Sequence, residues 1–445
     1  MRRVSLEKIA AWTGGRLRGD GKKTVTEAVI DSRKASPDSL FFCLKGKNTD
    51  GHLFAGEARR KGSAVIGETP ECDIEVYSST EALADTASGY RKELKGAVAG
   101  VTGSCGKTTT VRMAETAMKG SFPVTASPES YNNHIGLPLA LLGAGVEDRA
   151  VILEMGANHR GEISRLSEIA APDAGVITFI GDAHIGCFGS RGDILDAKFE
   201  LADSLNPGGL LIYNYDQEEV RERVSGYRKL RVTGFGFSPG AELRCAELKQ
   251  WEGGSSFSLN GENFRINAPG VHNVYNSLGA AALALEYGIT PAEISERLES
   301  FKLPSHRMQY IRAGGVSIID DSYNASPSSV RALFGELLKI YPQKDIIAVI
   351  GQLNELGRFS EQMHRETGEF LAGLGNVKYI LAGGSFAEPL LEAAASRGMP
   401  RENLVRFKDP GEASELIKKF SGPGRIAVLK GSRLEKLEDI IGNLK

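Results

Sequence analysis

Short apolar runs alternate with amphipathic stretches along nearly the whole chain, joined by glycine-rich or polar turns. That alternation predicts α/β units built on parallel sheets. Before residue 95, the runs TEAVI, SLFFCL, SAVIG and DIEVY read as short strands with a helix between them. GAVAGVT reads as a buried strand that runs directly into a glycine loop, and TTTVRMAETAMK as the helix beyond it. AVILEMG, DAGVITFIG and GGLLIYNYD supply further strands, and a less regular, hairpin-like portion runs from Val232 to Ile266. VHNVYNSLGAAALALEYGI and TPAEISERLESF close this segment as helices. In the second, Thr290 is the expected N-cap, Pro291 the first helical residue and Glu293 the partner that completes a capping box. From near Tyr310, VSIID, DIIAVIG, VKYILAGG, NLVRF and RIAVLKG alternate with helices, in the manner of a doubly wound sheet. SPSSVRALFGELLK opens with Ser326 as N-cap and Pro327 after it. The pattern divides the chain into three α/β domains, 1–95, 96–309 and 310–445.

Composition narrows the class. The 445 residues are 41% hydrophobic and 25% charged, near the globular average, and long enough for several domains. A net charge of −2 argues against nucleic acid or a membrane surface as the main partner. No apolar run approaches the roughly 18 residues that cross a bilayer. The N-terminus, MRRVSLEKIAAWTGG, lacks the apolar segment of a secretory signal. Cys43, Cys72, Cys105, Cys187 and Cys245 form no C-x-x-C and read as reduced thiols. The expectation is a soluble cytoplasmic protein, monomeric by default.

The chemistry starts at GVTGSCGKTTT. The common nucleotide loop, G-x-x-x-x-G-K-[ST], needs a glycine where Val101 stands; the glycines here fall at Gly100, Gly103 and Gly106. The segment still lies between a strand and a helix, where inward backbone N–H groups and the helix N-terminus favour phosphate. Lys107 is placed to reach terminal phosphates and Thr108 to ligate magnesium. Glu154 ends the next strand (VILEMGANH), at the sheet edge where a carboxylate suits Mg²⁺. His184, in GDAHIGCFGS, emerges from a third strand-end loop at the same edge. Lys198 sits in ILDAKFELADSL among apolar residues. On residue pattern alone it reads as a lysine that lays its stem on the core and keeps its amine in water.

GVTGSCGKTTT, SYNNHIGLPLALL, LEMGANHRGEI, AHIGCFGSRGDILDAK, HNVYNSLGAAALAL, IDDSYNASPSS and LKGSR occur in the order found in the Mur ligase family. The chain resembles that family over essentially its whole length. The resemblance implies a central P-loop ATPase-like domain, a C-terminal Rossmann-like domain that closes on ATP and a dipeptide, and an N-terminal domain that binds a UDP-linked substrate. It implies that Gly103, Ser104, Cys105, Gly106, Lys107, Thr108 and Thr109 bind the phosphates of ATP. Thr108 and Glu154 would hold one Mg²⁺, and His184 a second together with Lys198 as a carbamate. Asn273 and Asn276 would lie on the adenine side, Arg307 on the phosphates and Asp321 on the ribose. Asn132, Asn133, Asn324, Ser326, Lys430 and Arg433 would face the acceptor or dipeptide, and Ser32, Arg33, Asp50, Gly51 and His52 the UDP moiety. Two residues depart from the family pattern: Gly186 where relatives often carry an acid, and Gln352 where an aspartate is usual.

YNNHIGLP, GANHRGEI and DDSYNASPSS resemble most the branch that adds D-alanyl-D-alanine to UDP-N-acetylmuramoyl-tripeptide. The implied reaction is ATP-driven amide formation through an acyl phosphate, with Lys107, His184 and Lys198 as the catalytic group. The alternatives are another Mur-type amide ligase acting on a different UDP-muramoyl peptide, a cyanophycin- or folate-type ligase, a P-loop kinase, or a silent relative that kept the fold.

Overall fold

The computed structural model describes residues 1–445 apart from the side chain of Leu434. Ser39–Phe42 and Ala64–Gly67 are buried along their whole length, as unbroken apolar runs are when parallel strands are covered on both faces. They form the middle of a five-stranded sheet ordered Arg16–Leu17, Ile74–Glu75, Ala64–Gly67, Ser39–Phe42, Glu27–Val29. Helix Ser79–Arg91 leaves this sheet and packs on the middle domain. There Leu83, Ala87 and Tyr90 share one apolar core with Leu137, Leu141, Ile163 and Leu166. Tyr90 Oη donates to Ala144 O (2.7 Å) and Arg91 Nε to Ala170 O (2.9 Å), so polar anchors border the apolar contact.

The middle domain holds nine strands. Ala97–Thr102 lies between Ala150–Glu154 and Ala174–Ile177, all parallel and all buried beyond the first residue. Their C-terminal ends open on one edge, where ligands bind in sheets of this kind. The stretch expected to be less regular and hairpin-like from Val232 to Ile266 does form hairpins, and they extend the sheet. Arg231–Gly236 and Leu243–Trp251 pair in parallel, and Gly254–Leu259 and Glu262–Ile266 follow as antiparallel hairpins. A register shift between Ala246 and Lys249, with Glu247 at φ 53°, breaks the alternation that would have revealed the long strand.

The third sheet has six strands ordered Gln309–Ala313, Val316–Asp320, Arg425–Lys430, Asp345–Ile350, Val377–Ala382, Leu404–Arg406. All pairings are parallel except the first, a hairpin turned by Gly314 and Gly315 at φ 55° and 79°. The polar alternation of QYIRA hides that edge strand from the sequence pattern. Thr290 caps its helix in a capping box with Glu293, and Ser326 does the same with Ser329, each followed by proline. Among the described residues no helix is long and apolar enough to cross a membrane.

Candidate active site

The glycine loop occupies the edge where the three central strands end. Gly103 and Gly106 have φ 150° and 86°, and their surroundings require glycine. A Cβ at Gly103 would lie 2.1 Å from Thr178 Oγ1, and one at Gly106 2.2 Å from Asn276 Oδ1. Helix Lys107–Met118 starts immediately after, directing its N-terminal amides and partial positive charge at the loop. Lys107 Nζ folds back to Gly103 O (2.8 Å).

A cavity of ≈ 540 Å³ opens over this loop, between the middle and third domains. Its wall includes Ser104 through Thr109, Asn132, Glu154, His184, Asn273 and Asn276 from the middle domain. Arg307 from the junction, and Asp321, Asn324, Ser326 and Lys430 from the third domain, complete it. Glu154 is 3% exposed and lies at the base, accepting from Thr108 Oγ1 (2.7 Å) and Asn132 Nδ2 (2.8 Å). Arg307 Nη2 also reaches Thr108 Oγ1 (3.3 Å), while its guanidinium stacks on Tyr323. Asp321 bonds Lys430 Nζ (2.6 Å) and accepts from Met308 N (3.1 Å), which fixes the junction to the third sheet. Asn276 joins Asn273 (3.4 Å), and Asn273 joins Pro269 O (2.8 Å), so the pair is held on one helix face.

Lys198 does not snorkel. It is 1% exposed, with Nζ near Ala157 O (3.4 Å) and above the Phe188 ring. Burial, aided by the positive charge of Lys107, pulls its amine down from 10.5 to about 7. His184, at φ 64°, meets Glu355 of the third domain: its Nδ1 contacts the carboxylate without hydrogen-bond geometry. Next to it, Gly186 N donates to Glu355 O (2.8 Å). A Cβ on Gly186 would strike Gly357 N and Leu356 C at 2.3 Å, so the small residue here permits a close approach between two backbones. Gln352 serves the same third-domain loop, its N–H donating to Glu435 (2.5 Å) and its Oε1 accepting from Ser385 N (3.0 Å).

Among the described residues no group of three or more His, Cys, Asp or Glu side chains is placed to hold a metal ion. The donors present still fit Mg²⁺, which takes one or two carboxylates and fills its octahedron with water and phosphate oxygens. Buried Glu154 beside Thr108, in a cavity lined by a phosphate loop, is such a donor set. A buried amine whose pKa is lowered to about 7 is in part unprotonated, the form whose nitrogen attacks carbon dioxide with loss of a proton, so Lys198 suits carbamylation.

The remaining expected residues lie elsewhere. Asn133 Oδ1 is committed to Ile135 N and Gly136 N, in the turn that leads into helix Gly136–Leu142. Arg433 also packs on Tyr323, its guanidinium 5.4 Å from the ring centre. The five first-domain residues do not line the cavity. Ser32 bonds Glu57 (3.0 Å), and Arg33 forks onto Asp31 (2.9 and 2.8 Å). Asp50 caps the turn at Gly51, whose Cβ would fall 2.8 Å from Leu44 N. His52 has both nitrogens engaged: Nε2 accepts from Glu68 N (2.8 Å), which leaves the proton on Nδ1 for Asp50 (2.6 Å). Exposed Leu53 and Phe54 follow it.

Among the lining residues that escape the sequence reading are Tyr323 and His272, and Glu355, which touches His184 from outside the lining, escapes it too. Tyr323, whose Oη bonds Ser130 Oγ across the domains (3.0 Å), and His272, with a buried unpartnered Nδ1, are direct neighbours of Asn324 and Asn273. Nothing in GQLNELG marks Glu355, because its position depends on how the domains meet.

Comparison with known proteins agrees with this architecture. Residues 24–95 match the model described as Mur ligase family, catalytic domain; 101–284 match the Mur ligase middle domain; 306–433 match the Mur ligase, glutamate ligase domain. The UDP-N-acetylmuramoyl-tripeptide–D-alanyl-D-alanine ligase of Bacillus subtilis is 34% identical over 95% of this chain and 94% of its own length. A crystal structure of MurF from Acinetobacter baumannii superposes with a TM-score of 0.89 at 29% identity, covering 100% of this chain and 99% of that one. The MurF ligase of Thermotoga maritima in complex with ADP does so with a TM-score of 0.82 at 28% identity, over 94% and 96%. Matched across all three domains and by relatives of full length, the chain belongs to the Mur ligase family.

Proposed function

We propose that the chain joins D-alanyl-D-alanine to UDP-N-acetylmuramoyl-tripeptide at the expense of ATP, in the synthesis of peptidoglycan precursor. Full-length relatives sharing this activity support the reading. The observation that carries it in this molecule is the single cavity where the phosphate loop, the Thr108–Glu154 pair, His184 and the third-domain Asp321 and Lys430 converge. In that cavity the loop amides and Lys107 hold the triphosphate, Arg307 bears on its phosphates, Asp321 takes the ribose, and Asn273 and Asn276 flank the base. Thr108 and Glu154 would hold one Mg²⁺, and His184 with Lys198 as a carbamate a second; bound there, the ions would neutralise phosphate charge.

The tripeptide carboxylate oxygen attacks the γ-phosphorus, and ADP leaves. The free amine of the dipeptide then attacks the acyl phosphate carbonyl. The tetrahedral adduct loses phosphate and the amine proton, leaving the amide. Lys107 offsets the repulsion between carboxylate and triphosphate, while Asn132, Asn324, Ser326, Lys430 and Arg433 orient the two organic substrates. Ser32, Arg33, Asp50, Gly51 and His52 form the UDP end, with His52 acting through the turn it braces. The enzyme works as a monomer in the cytoplasm, where its substrates are.

The test is phosphate release from ATP and Mg²⁺ with each substrate alone and with both. Release only with both, and a pentapeptide product by mass, is the expected result. Release with neither substrate, or no product with both, would overturn it.

A further inference from the structure

Two non-glycine residues with left-handed backbones face each other across the cleft between the middle and third domains. His184 has φ 64° and Glu355 φ 62°, and the side chains meet. Such conformations cost of order 1–3 kcal/mol and persist where the surroundings impose them, commonly at functional sites. Asparagine or glycine would occupy position 355 at lower cost. The surroundings are specific: Leu353 and Leu356 are each 1% exposed and anchor the third-domain loop in the apolar core that also takes Ile185. Gly186 lets that loop approach until Gly186 N bonds Glu355 O. The contact sets the Glu355 carboxylate against Nδ1 of His184, a buried ring nitrogen with no other partner, and His184 lines the cavity.

We infer that Glu355 is a positioning residue supplied by the third domain: it holds the His184 proton on Nδ1, fixes the ring, and so presents Nε2 as a metal ligand only while the domains are in contact. Metal-binding histidines usually donate their second ring nitrogen to a carboxylate, which sets tautomer and orientation. Here that carboxylate comes from another domain, so the second metal site is assembled by closure itself. A misaligned closure leaves the histidine unoriented, which couples third-domain docking to the site that handles the phosphates. The inference rests on the assignment of His184 as a metal ligand under the proposed function.

The experiment is a Mn²⁺ titration of the full-length enzyme with ADP in bicarbonate buffer, followed by electron paramagnetic resonance. It compares wild type with Glu355→Gln, Glu355→Asn, Gly186→Ala and His184→Ala. Wild type should bind two Mn²⁺. Glu355→Asn, which suits the left-handed backbone and so keeps the fold, should weaken only the weaker site, by about 10–100-fold. Gly186→Ala should do the same by keeping the loop away. Glu355→Gln, whose amide oxygen still accepts from Nδ1, should lie between Asn and wild type. The ¹⁵N shifts of the His184 imidazole should show the Nδ1–H tautomer in wild type and its loss in Glu355→Asn. Wild-type Mn²⁺ affinity and tautomer in Glu355→Asn, with a site lost in His184→Ala, would overturn the positioning role alone. Two undisturbed sites in His184→Ala would instead remove the metal assignment on which it stands.

Discussion

Lys198 is buried without a carboxylate partner, against Ala157 O and the Phe188 ring, an unfavourable place for a cation. Replacement by alanine should nearly abolish ligation; if the missing group is a carbamate, short-chain carboxylic acids should restore part of the rate. Full activity of the alanine variant in the phosphate-release assay would exclude the lysine from the mechanism. Stability should move the other way. The folded amine titrates at about 7, against 10.5 for an ordinary lysine, so between those values the unfolded chain carries the extra proton. Stability therefore rises with pH across that window, and the burial penalty is fully present only below about pH 7. Lys198→Met should raise the unfolding midpoint in carbonate-free buffer, more at pH 6 than at pH 9; equal gains at both would refute the burial argument. This residue also marks the limit of sequence reading at single-residue scale. Ile194, Ala197, Phe199, Leu201 and Ala202 surround it in sequence, but which side of this half-buried helix a lysine beside apolar residues falls on is decided by neighbouring elements.

At the scale of elements, the glycine loop and its strand and helix were legible because local chemistry sets them. Gly103 and Gly106 lie where a Cβ has no room, and the caps at Thr290 and Ser326 are short-range hydrogen bonds. Gly106→Ala places a methyl 2.2 Å from Asn276 Oδ1 in a left-handed turn. It should abolish ADP binding by calorimetry while leaving the far-ultraviolet dichroism intact; unchanged affinity would mean that the loop does not cradle phosphate. The edge strand Gln309–Ala313 and the bulged strand Leu243–Trp251 were not read as separate strands, since the first alternates polar residues along a sheet edge and a register shift interrupts the second. His52 shows a subtler limit. Its segment suggests a ligand contact, but its ring is spent on Asp50 and Glu68 within the domain.

Across the whole molecule, the third domain touches the middle one through unlike contacts. They include Ser130–Tyr323 (3.0 Å), Arg331–Asp182 (3.3 Å), Val271 N to Glu336 (2.9 Å) and the Gly186–Glu355 backbone bond (2.8 Å), with junction residue Arg307 reaching Thr108 (3.3 Å). The junction between the domains carries His306 and Met308 at φ 60° and 49°, on either side of Arg307. A hinge there would let the domain swing while Arg307 stays near the phosphates, and closure would shield the acyl phosphate from water. Solution scattering should show compaction on adding both substrates with a non-hydrolysable ATP analogue; an unchanged radius of gyration would rule out such a swing. None of these contacts is visible in the order of residues, because each joins segments brought together only by the completed fold.

The apolar seam that binds helix Ser79–Arg91 to the middle domain has a consequence of its own. With that seam closed, the proposed UDP-binding residues of the first domain stand at a set separation from the cavity, so under the proposed function the two domains would together act as a gauge for peptide length. Each peptide residue spans about 3.5 Å. A UDP-linked chain one residue short would keep its anchorage yet hold its carboxylate out of reach of the γ-phosphate. Such a dipeptide donor should bind by calorimetry but release no phosphate from ATP; release at the tripeptide rate would show that the seam yields.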